Sequence, residues 1–484
     1  MAIPFPEPWL RHPRDRSTLA IYDGARLLTE HGELLRASTW RAFRDAVRDH
    51  ALTVYVRDLM ASPLDGALDD PDVQVSTNAT GAWQGLTIRA GRRRHHVYAS
   101  PVAWGQDPSP DLLRDIRTVY RALGVAGAPT TASGLGLASM RRHWTGGPMW
   151  RPSWACWTVM RETLIGGRAD TLQPGRYVPE LYEVDMDAAY PTAAAERVPG
   201  GGAVRWTGTA SLDTLHHMAT AYVYCRVTIH ERLPLGPVVL QDYGRDGNRM
   251  IPVEPGVYRG WLWWEDMAEL RAIVAGPRHL ITVEPVHGWY WRRWQRGVRS
   301  TRRGIVEEPS PLTSWARVVA RARRQLPDGP RHMVKLAAVA GIGRLGGPAT
   351  SYALVRRRMG PQDRPFVHPT IGPTRLWLHA HERDQANLLI QVASYVQAAV
   401  RRRLYRAALP FAQRGTLVAT NYDALYLTER PRMRGTVFRR GWKLDKLQDA
   451  LVPAARSVVS RDKVRLPGVP MAQREGLTNH VVTT

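Results

Sequence analysis

Cysteine is nearly absent. Cys156 and Cys225 are the two in 484 residues, far apart and without histidines at ligand spacing. That excludes a disulfide framework and the Cys/His zinc modules. The adjacent pair His95-His96 lies in "RRRHHVY", which reads as strand. Strand neighbours point to opposite faces, so the pair does not readily chelate one ion. No apolar run approaches the length of a spanning helix, so no membrane partner is expected. The opening stretch "MAIPFPEPWLRHPRDR" lacks the apolar core of a signal peptide. The expected location is therefore cytoplasmic. Internal repeats and low-complexity tails are also missing.

Acids are scarce relative to bases. Sixty-seven Lys plus Arg face 43 Asp plus Glu, for a formal net charge of +24 and a pI near 10.7. Such an excess calls for a polyanionic partner, nucleic acid above all. A codon bias toward arginine accounts for Arg over Lys, but not for the surplus over acids. With 44% hydrophobic and 23% charged residues the composition is that of a folded protein. The length allows about two to four domains.

The first segment mixes short strands and helices. "STWRAFRDAVRDHALTVYVRDL" predicts an amphipathic helix with Phe43 and Val47 inward, running into a strand at Thr53–Val56. "AWQGLTIRAGRRRHHVYAS" predicts a hairpin turning at Ala90-Gly91. "SPDLLRDIRTVYRALG" predicts a helix capped by Ser109 and closed by Gly124. "GAPTTASG" has the composition of a linker. A β-rich, tryptophan-rich stretch follows from 200 to about 330. A helix is expected from near Pro330 through "HMVKLAAVAGIGRLGG", and "QANLLIQVASYVQAAVRRRLYRAAL" predicts a helix of roughly six turns.

Two acids stand out. In "LYEVDMDAAYPTAAA", residues 181–195, a strand-like run ends on Asp185, and Pro191 suits the first turn of a following helix. In "TLVATNYDALYL", apolar runs flank a tight turn expected at Asn421-Tyr422, with Asp423 opening the second strand. If that hairpin pairs beside the first strand, both carboxylates converge. Paired carboxylates in a basic protein suit hard divalent cations and phosphoryl transfer. An Asp beside a turn that hydrogen-bonds only to backbone is the plainer alternative.

The order of these motifs resembles the palm and fingers of family B DNA polymerases, especially the protein-primed subgroup of phages and linear plasmids. The family's Asp-x2-Ser-Leu-Tyr-Pro motif corresponds here to Asp185-Met186-Asp187-Ala188-Ala189-Tyr190-Pro191. "ERVPGG" after it resembles the family's Leu-Pro-x-Gly. "LIGGR" resembles the Tyr-x-Gly-Gly element joining exonuclease and polymerase parts, with Leu164 in place of Tyr. The second motif, Lys-x3-Asn-Ser-x-Tyr-Gly, keeps Lys335 and Gly343 but has Val339, Ala340 and Ile342 at its polar positions. The third, usually Asp-Thr-Asp, is Asn421-Tyr422-Asp423. "RLPGVP", residues 465–470, resembles a late family segment. The likeness spans roughly residues 160 to 470.

The resemblance implies an α+β right-hand polymerase with palm, fingers and thumb, behind a reduced N-terminal exonuclease-like α/β domain. The expected parts are 1–150 for that domain, 151–205 for linker and first palm segment, and 206–325 for an insertion subdomain. Residues 326–410 would be fingers helices and connecting insert, 411–430 the palm hairpin and 431–484 a thumb-like region. The implied catalytic groups are Asp185, Asp423 and Lys335. Asp185, Asp423 and the Met186 carbonyl would hold two Mg²⁺ or Mn²⁺ ions. Asn421, expected among the nucleotide-binding residues, offers one neutral oxygen in place of a carboxylate, so weaker metal affinity is expected.

Tyr190 would lie under the incoming sugar and exclude a 2′-hydroxyl, although an ordinary core tyrosine fits the same place. Lys335, with Arg331 one turn earlier, would meet the triphosphate; a solvated lysine on an amphipathic helix is the alternative. Gly166, Gly167 and Arg168 would contact DNA through the linker element. Trp291, Arg292 and Arg293, in "HGWYWRRWQRGVRSTRRG", would contact it by stacking and ion pairing, or else form a half-buried hairpin with a solvated basic face. The implied partners are template and primer DNA, deoxynucleoside triphosphates and a terminal priming protein, inside a bacterial host.

Family members carry an Asp-x-Glu pair in the exonuclease. The first 150 residues contain none, and "TVYVRDLMASPLDGAL" has Arg57-Asp58 and Ser62 where the family has His-Asn and Asp. Proofreading is expected to be absent. Two further readings remain open: a degenerate polymerase fold that binds DNA as a replication protein, and an RNase-H-like nuclease using the same acids, which the helix-borne lysine fits poorly.

Overall fold

The computed structural model describes residues 18–465, apart from 60–63, 78–82, 92, 126–130, 148, 151, 165–167, 208–217, 242–248, 268–269, 271–279, 302–303, 348–349, 356–360, 362, 367–375, 383–388, 434–437, 439–440, 454–456 and 461–463. The chain divides into two compact units. One contains Pro6–Trp144 and Ser314–Leu389, the other Thr145–Thr313 and Ile390–Thr484.

The first unit opens with strands β1 (Thr18–Tyr22), β2 (Arg26–Thr29) and β3 (Leu34–Arg36), helix α1 (Trp40–Asp49) and strand β4 (Leu52–Val56). Strands β5 (Val73–Thr77), β6 (Trp83–Ala90) and β7 (Arg93–Ala99) follow, then α2 (Ser100–Trp104), α3 (Pro110–Ala122) and α4 (Ala132–Arg142). The second unit contributes α5 (Trp154–Glu162), β8 (Arg168–Thr171), β9 (Gly175–Met186), α6 (Ala189–Glu196) and β10 (Val198–Thr207). It continues with β11 (Thr220–Ile229), β12 (Leu240–Gln241), β13 (Arg249–Met250), β14 (Gly256–Trp263), β15 (Ile281–Gln295), β16 (Gly297–Thr301) and β17 (Gly304–Glu308). Helix α7 (Thr313–Gln325) leads back to the first unit, which adds α8 (Asp328–Leu345), β18 (Thr350–Val355), β19 (Arg364–Phe366) and β20 (Leu376–Glu382). The second unit ends with α9 (Ile390–Gln413), β21 (Leu417–Tyr422), β22 (Ala424–Leu427), β23 (Trp442–Val452), β24 (Val458–Val459) and β25 (Val464–Arg465).

Local chemistry explains several elements of the first unit. The Thr39 hydroxyl caps α1 by accepting from Ala42 N–H, and Phe43 and Val47 face the core as expected. The Ser109 hydroxyl caps α3, which ends with Gly124 in the left-handed region at φ +65°. The β6–β7 hairpin pairs Ala90 with Arg93, so Ala90 is a paired strand residue and not part of the expected Ala90-Gly91 turn. Helix α4 begins inside the expected linker, capped by the Thr131 hydroxyl.

Ten described strands of this unit form one sheet, in the order β19-β20-β18-β5-β6-β7-β4-β1-β2-β3. Its core holds Leu27, Val54, Leu86 and Val97 on the strands and Phe43 and Val47 from α1. Strands β18 to β20 come from the segment expected as a connecting insert of the fingers. They extend the N-terminal sheet because β18 pairs antiparallel with β5, Leu354 opposite Val75.

Helices α4 and α8 cross where both carry glycine. A β-carbon built on Gly136 would lie 1.9 Å from the Ala337 carbonyl oxygen and 2.8 Å from the Gly341 α-carbon. The backbones approach this closely because neither side chain is present. Gly136→Val should therefore destabilise this unit at the upper end of about 1–3 kcal/mol. Denaturant unfolding reads this, and an unchanged midpoint would contradict the crossing.

The second unit holds two main antiparallel sheets, β10-β15-β11-β14 and β25-β24-β23-β9-β22-β21-β8. Tryptophans and tyrosines of the first sheet stack into a ladder, with Trp261–Trp289 centroids 5.2 Å apart and Trp263–Trp291 also 5.2 Å apart. Helix α9 ties the sheets together, since Trp263 Nε1 donates to Ser394 Oγ at 3.0 Å. Beneath it lies a buried polar cluster. Arg402 Nη1 donates to Asp266 Oδ1 at 2.9 Å, and the Tyr395 and Thr220 hydroxyls donate to Glu265 at 3.2 and 2.8 Å. These contacts hold α9 in place, and α9 delivers the chain to β21.

Candidate active site

Strand β9 lies between β22 and β23. Its buried Leu181 and Val184 anchor it in the sheet, and Asp185 follows at the strand's end. The β9–β22 register sets Asp185 opposite Ala424, while Met186 N–H donates to the Asp423 carbonyl at 2.8 Å. Asp423 is thus the chain neighbour of Asp185's partner, with the two α-carbons on the order of 6 Å apart. Residues remote in sequence meet at one sheet end.

The β21–β22 hairpin closes with Asn421 opposite Ala424. Its loop is therefore Tyr422-Asp423, one residue later than the expected Asn421-Tyr422, and Asp423 precedes the second strand instead of opening it. Tyr422 sits at φ +54°, a region usually held by glycine or asparagine, so residue type did not mark the loop's position. Ala188, between Asp187 and α6, is likewise left-handed at φ +51°. Each costs about 1–2 kcal/mol relative to a relaxed backbone. Both strained residues flank the acids, where such outliers tend to cluster.

Asp187 adds a third acid. Its N–H donates to the Gly441 carbonyl, and its carboxylate faces Lys443 Nζ at 3.5 Å. Lys443 is also opposite Asp185 in the β9–β23 pairing. Asp187 is the second acid of the strand-end stretch but was given no site role from sequence, and Lys443 was not singled out. The signal for Asp187 was its position two residues after Asp185; Lys443 had none, because only strand pairing brings 442–452 alongside β9.

Tyr190 on α6 is 9% exposed. Burial and the nearby Asp423 carboxylate push its pKa up to about 12, so the phenol stays neutral. Arg401 on α9 is buried close enough to Asp266, Tyr222 and Tyr190 to interact electrostatically, and burial pulls its pKa down. It too was missed, since a basic run on a helix reads as solvent-facing. Asn421 is 5% exposed, and its Oδ1 has no hydrogen-bond partner among the described residues. An inward, unsatisfied oxygen beside two carboxylates suits a hard cation. Among the described residues no three His, Cys, Asp or Glu side chains gather as a ligand set.

The other expected site residues have different fates. Gly166 and Gly167 lie outside the described residues. Arg168, expected on DNA, is 2% exposed; its guanidinium pairs with Asp170 and donates to the Gly236 carbonyl. Trp291, expected to stack on bases, is fully buried against Trp263. Both corrections have one cause: strand pairing turns these residues inward. Arg292 and Arg293 on β15 are exposed.

Lys335 and Arg331 lie on α8, in the other unit. Arg331 pairs with Asp328 at 2.8 Å and donates to the Leu326 carbonyl; Lys335 is half-buried, and the pKa of His332 is lowered chiefly by burial and additionally by the Lys335 charge. Of the altered second-motif residues, Ile342 is fully buried and Val339 exposed.

No protein-family model and no curated protein matches the sequence. Among solved structures the chain is similar to Phi29 DNA polymerase complexed with primer-template DNA and incoming nucleotide substrates, with a TM-score of 0.66 and 11% identity, covering 96% of this chain and 94% of that one. It is similar as well to Phi29 DNA polymerase complexed with single-stranded DNA, with a TM-score of 0.64 and 11% identity over 95% and 94% of the two chains. Against the binary primer-template complex the TM-score is 0.62, again at 11% identity, over 95% and 94%. The chain therefore has an α+β fold, that of a right-hand DNA polymerase.

Proposed function

We propose that the protein is a template-directed DNA polymerase that joins deoxynucleotides to a primer by two-metal phosphoryl transfer. The observation that supports it most is the β9–β22 register, which sets Asp185 beside Asp423. The likeness to Phi29 DNA polymerase in complex with primer-template and nucleotides agrees with DNA and deoxynucleoside triphosphates as partners.

Asp185, Asp423 and the Met186 carbonyl would hold two Mg²⁺ or Mn²⁺ ions, with Asn421 adding a neutral oxygen. Such ions, when bound, favour ionisation of the attacking hydroxyl and screen the triphosphate and departing pyrophosphate. The chain itself positions the reactants. Tyr190, neutral and packed, provides a flat wall for the sugar. Lys335 is assigned to the triphosphate on its place in the second motif, where a fixed cation stabilises charge on the leaving group. Arg331 is a weaker candidate, because Asp328 already neutralises it. The exposed Arg292 and Arg293 suit DNA phosphates. A phage or other mobile element, and a priming protein, fit the subgroup resembled.

The N-terminal domain is read as exonuclease-like without a nuclease centre. Strand β1 carries no acid, and Glu30, the carboxylate next to it, is clamped by Arg117 at 2.6 Å; burial raises its pKa, but the Arg117 and Leu19 N–H hydrogen bonds outweigh that and lower it.

Primer extension on a primed template tests this reading. Incorporation should require Mg²⁺ or Mn²⁺, and Asn421→Asp should reach saturation at lower Mg²⁺ than the parent. Without nucleotides, a labelled 3′ end should stay intact. Metal-dependent trimming that vanishes in Asp58→Ala or Asp65→Ala would overturn the proofreading part. The buried Ile342 and the asparagine at 421 favour a second reading, a DNA-binding replication protein. Tight DNA binding with no extension in either metal would select it.

A further inference from the structure

The first unit contains a cavity of about 650 Å³, whose described lining residues all belong to that unit. Its origin lies in the glycine crossing. Gly136 and Gly341 draw α4 onto α8, and beyond the contact the walls are small: Gly85, Ala132, Gly134 and Ala340. Space remains because these residues cannot fill it.

Among the described residues the lining contains no carboxylate and one cation, Arg344. That arginine is half-buried, its guanidinium has no hydrogen-bond or ion-pair partner among the described residues, and burial alone lowers its pKa. A half-buried guanidinium without a counter-charge is partly desolvated, and an anion entering the cavity would offset that cost. Ser76, Ser133 and Gln84 add neutral polar groups, while Tyr98 and Leu336 supply an aromatic and an aliphatic wall. The volume falls within the usual range of small-molecule sites and far exceeds one phosphate.

We propose that this cavity binds an organic phosphate of about mononucleotide size, with Arg344 taking the phosphate and the Tyr98–Leu336 side taking the organic part. A planar bidentate donor suits a phosphate, and the mixed wall suits a ring attached to it. The site uses none of the acids and not Lys335, although Leu336, Ala340 and Arg344 share α8 with that lysine.

Calorimetric titration of the full chain with 2′-deoxyadenosine 5′-monophosphate tests the proposal. EDTA and about 150 mM salt silence metal-dependent and non-specific phosphate binding. Saturable binding near one equivalent is expected. Arg344→Gln should weaken it at least about tenfold, Arg344→Lys by less, and Ala340→Phe, which fills the cavity, should abolish it. Deoxyadenosine and inorganic phosphate alone should each bind much more weakly. Circular dichroism melting identifies folded variants, and if Ala340→Phe does not fold, the Gln and Lys pair decides. Absence of saturable binding, equal affinity in Arg344→Gln, or inorganic phosphate binding as tightly as the nucleotide would each overturn the proposal.

Discussion

Asp185→Asn and Asp423→Asn should each lower the rate of nucleotide addition by at least about a thousandfold, with primer-template affinity little changed. Asparagine keeps the size and one oxygen of aspartate but removes its charge. A site that already has Asn421 in a carboxylate's place has little negative charge left to lose. A thousandfold corresponds to about 4 kcal/mol of transition-state stabilisation, reasonable for one ligand of a two-ion clamp. Asp187→Asn should have a smaller effect, because the Asp187 carboxylate already faces Lys443. Single-turnover extension with saturating nucleotide separates chemistry from binding. Extension by either Asp185→Asn or Asp423→Asn within tenfold of the parent would remove the metal-ligand assignment.

The second large effect is on stability. Asp266→Ala leaves Arg402 without its 2.9 Å carboxylate partner, 8% exposed, next to the equally buried Arg401. Removing one member of a buried pair commonly costs about 3–5 kcal/mol, because the remaining charge stays desolvated. For a unit of this size that is a drop in Tm on the order of 10 °C. Glu265 cannot fully substitute: burial raises its pKa, and it already accepts from Thr220 and Tyr395. The double variant Asp266→Leu with Arg402→Met should lose less than Asp266→Ala alone, since both charges leave together. A melting curve for Asp266→Ala within about 2 °C of the parent would show that the pair does not secure α9. Loss of this anchor should also reduce activity, because α9 leads directly into the hairpin carrying Asp423.

Short-range features were legible in the chain. The Ser109 cap and Gly124 stop of α3 and the inward Phe43 and Val47 of α1 match the expectation, as do the long helix before the hairpin and the strand-to-helix passage through Asp185 and Pro191. Each depends on contacts a few residues away: a hydroxyl reaching an amide of the first turn, or apolar groups repeating at helical spacing. The order of the acids and lysine was legible for the same reason, as residue types at set spacings.

Tertiary structure alone decided the rest. It paired β9 with β22 so that Asp185 and Asp423 meet, and it set Lys443 opposite Asp185. It turned Arg168 and Trp291 inward, and it joined β18 to β5 in the N-terminal sheet. It also brought Gly136 against Ala337 and Gly341 and left Arg344 at an open cavity. The physical reason is common to all of these. A strand's partner, and the face it buries, follow from complementarity between surfaces distant along the chain, whereas capping and periodicity are settled among near neighbours.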